Sequence, residues 1–328
     1  MKRSNHRLSI IAALLLAAGA APNLARGAEG SFNRTLKVTG PVQLDVSTGS
    51  GHITVRPGSS SSVEVHGIIK AHNSWGFDSG NAEDKVRRLE SNPPIEQDGN
   101  YIRIGHIEDR ELRNNVSISY ELTVPAPTQI KCGTGSGNVD VEGIRGPAHA
   151  SSGSGNISVS NIGDEVYAST GSGRIGLDHV KGSVRATTGS GTIQANSVAG
   201  GFHLSTGSGD IRLSDVAPGD GRVSTGSGSV EVTGVRGALQ VGSGSGAITA
   251  QGDPTGDWVL HTGSGSLTLR INPSASFNLD AHTDSGQIYT QRSVTVQGTQ
   301  GRGTLHGKVG NGGPVVNLRT GSGSIRIE

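Results

Sequence analysis

Residues 170–180 read Thr-Gly-Ser-Gly-Arg-Ile-Gly-Leu-Asp-His-Val, and the pattern that opens them, Thr-Gly-Ser-Gly followed one place on by an apolar residue, returns about every 18 residues. A short fixed period predicts a stack of small units, none of which can bury its apolar face alone. An isolated early copy starts at Gly49. With the first Gly of each copy as position zero, the regular copies start at Gly135, Gly153, Gly171, Gly189, Gly207, Gly226, Gly244, Gly263, Asp284, Gly301 and Gly321.

The columns of the repeat predict two short strands in each unit. Position +4 is apolar in all 11 copies, position +6 in nine and position −3 in ten. Because successive side chains of a strand point to opposite faces, +4 and +6 share the inner face of one strand, and −5, −3 and −1 share that of the other. A further apolar residue at +9 is expected to turn inward at a corner.

These strands predict an all-β fold, a parallel β-solenoid (β-helix) of about 11 coils, in which each strand pairs with the coils above and below. Coils about 4.8 Å apart would make a rod about 50 Å long. The handedness of parallel crossovers favours right-handed winding. Left-handed winding of the 18-residue repeat stays open.

The segment before the solenoid has a different pattern. We expect residues 28–130 to hold N-terminal strands, a first coil at the Gly49 copy and an α+β cap with one short helix, Ala82–Glu90, which Pro93 and Pro94 stop. The cap would cover the open end of a solenoid formed by residues 131–328. A less regular last coil would cap the other end.

The first 27 residues are typical of a signal peptide. Basic residues precede an apolar run, Leu8–Ala18, that is too short to span a bilayer as a helix. Cleavage is expected after Gly27, with the small residues at 18–20 as the alternative site. We therefore predict an exported protein located in the periplasm, on the cell surface or outside the cell, without a transmembrane segment.

Charge and cysteine content narrow the function further. The whole chain has a formal charge of +1, but residues 1–27 contribute four basic residues and no acid, which leaves 24 basic against 27 acidic residues, or −3. Such a balance argues against a nucleic-acid partner. The single Cys132 cannot form a disulfide within the chain.

Position −1 is Thr or Ser in ten of the 11 copies. A regular Thr array can form an ice-binding face, but position −1 shares the inner face with −3. We therefore expect these hydroxyls to bond backbone groups at the Gly-Ser-Gly corners.

No metal, cofactor or catalytic centre is expected. The Gly-rich corners lack the helix and the Lys-Ser/Thr of a phosphate loop, and Asp210 stands one residue early for a calcium nonapeptide. His261 and His282 share position −2 in successive copies, yet no third ligand accompanies them. No column gathers the carboxylates that a polysaccharide lyase needs, and Arg212 with Glu231 is expected to form an ion pair between coils.

The outward position −4 carries the one candidate site. It forms a basic stripe with a single tyrosine: Lys131, His149, Tyr167, Arg185, His203 and Arg222. Cations stacked at coil spacing repel one another, which suggests an anionic ligand such as a phosphorylated or acidic envelope glycan, with Tyr167 stacking on a sugar. The alternative is a solvated face neutralised by counter-ions.

Several features together resemble a bacterial family. They are the N-terminal signal, the lead-in Tyr120-Glu-Leu-Thr-Val-Pro125, the Thr-Gly-Ser-Gly-x-Ile-x-Val repeats and the ending Thr320-Gly-Ser-Gly-Ser-Ile-Arg-Ile327. Over residues 32–328 the chain is similar to the β-strand-repeat family named "putative adhesin" (domain of unknown function 4097). The resemblance implies a role at the surface or in the envelope and brings no catalytic residues.

The sequence thus predicts a non-enzymatic, adhesin-like binding module whose partner is an envelope or surface polysaccharide or another anionic polymer. A structural or assembly role, with an envelope protein such as a stress-sensing complex as partner, is the alternative. A polysaccharide lyase or hydrolase on a β-helix is the third possibility.

Overall fold

The computed structural model describes residues 27–72, 82–216, 219–296 and 301–328. The predicted signal peptide lies outside the described residues, except for Gly27. Within the described parts, the chain forms 29 strands and two short helices.

The elements follow one another in a regular alternation. The N-terminal part contains β1 (Ala28–Lys37), β2 (Gln43–Thr48), β3 (Ile53–Pro57), β4 (Ser62–Ala71), α1 (Ala82–Ser91), β5 (Ile95–Asp98), β6 (Tyr101–Ile104), α2 (Arg110–Arg113) and β7 (Val116–Val124). The middle contains β8 (Gln129–Thr134), β9 (Val139–Glu142), β10 (Ala148–Ser152), β11 (Ile157–Ile162), β12 (Val166–Thr170), β13 (Ile175–Val180), β14 (Val184–Thr188), β15 (Ile193–Val198), β16 (Phe202–Thr206), β17 (Ile211–Val216), β18 (Gly221–Thr225), β19 (Val230–Arg236), β20 (Leu239–Ser243), β21 (Ile248–Asp253), β22 (Trp258–Thr262) and β23 (Leu267–Ile271). The C-terminal part contains β24 (Phe277–Thr283), β25 (Ile288–Thr290), β26 (Val294–Val296), β27 (Thr304–Val309), β28 (Val315–Thr320) and β29 (Ile325–Ile327).

From β8 to β23 the strands alternate between two sheets, here called sheet A (14 strands, containing β9 to β23 at odd numbers) and sheet B (15 strands, containing β8 to β22 at even numbers). Each strand pairs in parallel with the strand one coil before and one coil after. Ile157, for example, pairs with Val139 on one side and Ile175 on the other, a register of 18 residues. The predicted all-β parallel β-solenoid is confirmed.

The core lies between the two sheets and is formed by the columns that the sequence predicts. The inward residues at +4 and +6 of sheet A and at −3 of sheet B belong to one buried apolar cluster along the stack. Position +9 also turns inward, as expected, and its residues are at most 5% exposed: Ile144, Ile162, Val180, Val198, Val216 and Val235. Full burial of one such side chain stabilises the fold by about 1.5–3 kcal/mol.

Glycine is required at the corners because neighbouring coils approach closely there. A Cβ added to Gly173, at position +2, would lie 1.9 Å from the carbonyl oxygen of Gly155 in the preceding coil. A Cβ added to Gly171, at position zero, would lie 2.4 Å from the carbonyl oxygen of Gly153. No side chain fits at these distances, and this explains why the Gly-Ser-Gly motif repeats.

The Thr/Ser column at −1 is buried, and each hydroxyl bonds the backbone of a neighbouring coil, as the sequence predicts. Thr188 Oγ1 donates to the carbonyl oxygen of Gly173 at 3.0 Å, and the other nine residues make the same bond at 2.8–3.0 Å. The array is therefore part of the core and presents no outward Thr face.

At the N-terminal end, spatial order differs from chain order. The coil of β2 and β3 packs directly on the first regular coil, and the later unit of β6 and β7 lies outside it. Strands β4 and β5 then add in antiparallel orientation, as does β1 on β4. The helix α1 buries Val86 and Leu89, and Glu90 Oε1 accepts a hydrogen bond of 2.9 Å from the Ser31 backbone N–H on β1.

The sequence predicts one helix in this end, whereas the structure has two. The helix α2 is a single turn that Asp109 caps by accepting from the backbone N–H groups of Glu111 and Leu112. The hydrogen bond from Glu111, above all, lowers the pKa of the Asp109 carboxyl. One turn carries no apolar periodicity, and none of its residues is buried, so the sequence pattern could not reveal it.

At the C-terminal end, too, the spatial order of the coils differs from their order in the chain. Strand β28 lies between β22 and β24, and β29 lies between β23 and β25, so the last coil of the chain is the penultimate coil in space. The prediction that the copy at Gly301 forms a coil is wrong: β27 runs antiparallel to β24, and β26 pairs antiparallel with β27. This copy has Gly298 at −3 and Gly307 at +6, so it lacks the inward side chains of a coil.

Candidate functional site

The structure places the six predicted stripe residues side by side on the outer face of sheet B. Each occupies the same position on consecutive strands, so that Lys131 pairs with His149, and Arg185 with His203. The remaining neighbours are Tyr167 between His149 and Arg185, and Arg222 after His203. Parallel pairing at about 4.8 Å per coil therefore turns the sequence column into a continuous row along the stack.

The row continues into the N-terminal end, which the repeat columns did not show. Asp45 on β2 is the neighbour of Lys131, and Arg103 on β6 is the neighbour of Asp45. Lys131 Nζ lies 3.4 Å from Asp45 Oδ2, so the charge at this end of the stripe is locally compensated. The repeat alone could not place Arg103 here, because its strand adds to the stack out of chain order.

Arg185 and Arg222 are cations without a local counter-ion. Within the described residues, no carboxylate lies within 4.0 Å of either guanidinium. Many other arginines do have such a partner: Arg56, Arg87, Arg88, Arg103, Arg212, Arg270, Arg319 and Arg326. The predicted ion pair between coils, Arg212 with Glu231, is among the contacts seen, at 3.9 Å.

His203 lies between these two arginines and is only partly exposed. Its partial burial, followed by the positive charges of Arg185 and Arg222, lowers the pKa of the imidazole below its usual value. At neutral pH the side chain is therefore uncharged. The stripe then carries its two free positive charges on alternate coils.

His149 and Tyr167 form an aromatic platform next to these cations. Their ring centroids are 5.7 Å apart, the planes are inclined by 26°, and Tyr167 is 42% exposed. A flat exposed ring face with its partial negative charge can pack against the C–H groups of a sugar ring. The platform and Arg185 occupy successive coils, so one extended ligand can contact both.

A shallow groove of about 420 Å³ runs beside the stripe. His149, Tyr167, Arg185 and His203 line it together with Glu165. On the other side of the stripe, position −2 presents small hydroxyl residues on the same outer face: Ser151, Ser169, Thr187, Ser205 and Ser224.

This hydroxyl column completes the site and was missed from the sequence. The signal was present, since five consecutive copies have Ser or Thr at −2. The sequence gives this column no role, because a hydroxyl has no charge pattern to mark it. Together the columns offer cations, an aromatic surface and hydrogen-bonding hydroxyls in parallel rows.

The structure separates the two histidines that the sequence places in successive coils. Arg319 of the inserted last coil lies between His261 and His282 in sheet B. Within the described residues there is no group of three or more His, Cys, Asp or Glu side chains that could hold a metal. Cys132 is fully buried, and burial raises the pKa of its thiol, so it is an inert part of the core.

Asp210 has a structural role at its corner. Its carboxylate accepts a hydrogen bond from the Ser229 backbone N–H at 3.0 Å and lies 3.3 Å from the Arg212 guanidinium. Asn156 similarly accepts from the Arg174 backbone N–H at 2.9 Å. Polar side chains at +3 thus bond the next coil.

The fold and the stripe define a class of protein: a repetitive parallel β-solenoid that presents rows of identical positions on a flat outer face. The chain belongs to the Toastrack DUF4097 family, whose profile matches residues 42–328. This agrees with the resemblance found in the sequence.

Two solved structures are similar over most of their length. A "putative adhesin" from Bacteroides fragilis NCTC 9343 is 14% identical, with 91% of this chain and 97% of that chain covered and a TM-score of 0.30. A "putative cell adhesion protein" from Clostridium sporogenes ATCC 15579 is 10% identical, with 92% and 99% covered and a TM-score of 0.20. No curated protein matches the chain. In the described residues, no helix has the length and apolar character needed to cross a membrane.

Proposed function

We propose that this protein is an exported, non-enzymatic binding module that holds an acidic polysaccharide of a cell envelope or surface along the stripe on sheet B. The observation that carries the proposal is the pair Arg185 and Arg222, which face solvent on one row without a carboxylate within 4.0 Å in the described residues. Their charges are free to meet an external anion.

The arrangement has a cost that a polyanion would offset. Like charges that lie close together on a sheet destabilise it, and the positive charges of Arg185 and Arg222 lower the pKa of His203, which lies on the coil between them. An anionic chain lying along the row would neutralise both guanidinium groups and remove this repulsion.

A sugar polymer fits the row better than a small anion. The aromatic platform of His149 and Tyr167 offers an apolar surface for a sugar ring, and the hydroxyl column offers hydrogen-bond partners for sugar hydroxyls. The groove is shallow and elongated along several coils. Export and the absence of catalysis are parts of the proposal that rest on the signal-like N-terminus and on the lack of converging acids along the columns.

The direct test is co-sedimentation of residues 28–328 with whole cells, peptidoglycan and surface polysaccharides at about 0.05 M and about 0.5 M salt, a range over which exposed charges become strongly screened. The double variant Arg185→Glu/Arg222→Glu should weaken binding at low salt by about tenfold or more, since each exposed ion pair contributes roughly 0.2–1 kcal/mol and reversal adds repulsion. High salt should weaken wild-type binding in the same direction.

The matched control is Arg174→Glu/Lys181→Glu. Both residues are exposed and lie between Tyr167 and Arg185 in the chain, but outside β12 and β14, the strands that carry those two stripe residues, and the charge change is the same. Equal binding by wild type and the stripe variant would overturn the proposal. Wild-type binding that survives high salt would point to another surface, for which the sequence offers Trp75 and Phe77, residues outside the described parts. No binding to any fraction would favour the structural or assembly role instead.

A further inference from the structure

The spacing of the positive charges along the stripe indicates, in addition to their sign, which anionic ligand would fit. Consecutive coils of a parallel solenoid are about 4.8 Å apart, and this is close to the advance of one sugar in an extended polysaccharide. A linear glycan lying along the row would therefore place about one sugar on each coil.

Over four consecutive coils the row reads Tyr167, Arg185, His203, Arg222. Positive charge occupies the second and fourth coils, and the third carries an imidazole that is neutral at neutral pH. The charged groups facing His203 from its two neighbouring strands are Arg185 on β14 and Arg222 on β18. Cation and neutral side chain thus alternate with a period of two coils.

The first of these coils disfavours an anionic sugar. Tyr167 shares the groove with Glu165, whose carboxylate would repel a second carboxylate. The exposed ring of Tyr167 suits a neutral sugar face instead. Lys131 falls outside this frame, since three coils separate it from Arg185 and its charge is compensated by Asp45 at 3.4 Å.

We propose that the stripe recognises a linear polysaccharide with a carboxylate on every second sugar, with neutral sugars on Tyr167 and His203 and carboxylates on Arg185 and Arg222. This inference rests on the proposed function and specifies its ligand. Such a ligand is bound in register, so that one repeat of two sugars spans two coils.

The probes are length-matched oligosaccharides: hyaluronan decasaccharide, with a carboxylate on alternate sugars, and decagalacturonate, with one on every sugar. Binding is measured by titration calorimetry at pH 7.5 and low salt. We expect hyaluronan to bind at least as tightly as decagalacturonate despite having half its charge. Attraction by charge alone would favour decagalacturonate severalfold.

The variant His203→Arg makes three consecutive coils cationic. It should shift the ratio of the two affinities by about two- to fivefold toward decagalacturonate, the gain expected of one added exposed ion pair. The control Gln194→Arg adds the same charge to an exposed position of sheet A and should leave the ratio unchanged. Circular dichroism of both variants checks that the fold is intact.

Acidification offers a second measurement on the unaltered chain. Because partial burial and the charges of Arg185 and Arg222 lower the pKa of His203, its protonation needs a lower pH than that of an ordinary histidine, and a titration downward from pH 7.5 should move the ratio in the same direction as His203→Arg. The variant His203→Gln should lose most of this pH effect.

The outcomes separate the two proposals. The proposed match of carboxylates to every second coil would be overturned if wild type bound decagalacturonate more tightly and if His203→Arg and Gln194→Arg changed the affinity ratio equally. The proposed function would stay intact. Binding of neither oligosaccharide would overturn the register as well. In that case the co-sedimentation of the stripe variant decides whether the proposed function also fails.

Discussion

The middle of the stack and its two ends use the same strands but are assembled differently. From β8 to β23 each coil pairs with the coils that precede and follow it in the chain, and the register is 18 or 19 residues except for a one-residue shift between Thr233 and Val235 on β19. At both ends, chain order and spatial order are exchanged. The coil of β2 and β3 lies inside the later unit of β6 and β7, and the coil of β28 and β29 lies inside the earlier coil of β24 and β25. Repetition therefore specifies the middle locally, whereas the ends depend on contacts between distant segments.

We expect the largest effect on stability from deleting one coil, and this effect should differ between a coil in the middle of the stack and a coil at its C-terminal end. Deletion of residues 184–201 joins Ser183 to Phe202 and restores the repeat, since Val166, Val184 and Phe202 are equivalent positions. Deletion of residues 314–328 removes the inserted coil and its four buried apolar side chains, Val316, Leu318, Ile325 and Ile327, each worth about 1.5–3 kcal/mol.

We expect the middle deletion to remain folded, with a slightly lower Tm. The C-terminal deletion should leave β24 and β25 without their parallel partners β28 and β29, and limited proteolysis with mass spectrometry should show early cleavage after residue 271. Equal protease resistance of the two deletion variants would contradict the view that the end depends on the inserted coil.

A smaller difference in stability is expected between alanine substitutions of two glycines that both occupy position zero of the repeat. A Cβ at Gly171 in the middle would lie 2.4 Å from the Gly153 carbonyl oxygen, whereas a Cβ at Gly49 in the end coil meets no atom within 4 Å. Gly171→Ala should lower the free energy of unfolding by about 1–3 kcal/mol or more through overpacking. Gly49→Ala should change it by about 0.5 kcal/mol or less. Urea unfolding of both variants tests this, and a similar loss in both would show that close approach is not the cause.

A third pair of substitutions concerns buried hydroxyls, and its two effects have opposite signs. Thr188→Val in the middle leaves the Gly173 carbonyl oxygen without its partner and should cost about 1–3 kcal/mol. At the N-terminal end the Tyr120 hydroxyl is buried with no hydrogen-bond partner among the described residues, and burial raises the pKa of this hydroxyl. Tyr120→Phe should therefore stabilise the protein by about 1 kcal/mol while keeping the edge contact with Phe32. Thermal unfolding measures both, and destabilisation by Tyr120→Phe would reveal a partner for the hydroxyl.

The site shows the same division between local and distant information. The row from Lys131 to Arg222 lies in regular coils, so the repeat alone placed all six residues next to one another. The sequence could not place Arg103 at the end of this row, nor Arg319 between His261 and His282, because strands inserted out of chain order set those neighbours. The groove containing Glu165 also needed the structure, since its depth depends on the sizes of side chains on adjacent coils.

The sequence by itself determined the parallel solenoid, the inward columns, the bonded Thr/Ser column and the row of cations. It could do so because a fixed period and the two-residue alternation of strands assign each residue a face and a neighbour. Only the tertiary structure decided the order of the end coils and the antiparallel strands beyond them. These depend on which distant strand covers an open edge, and that choice is made by packing among the ends themselves, which no local period encodes.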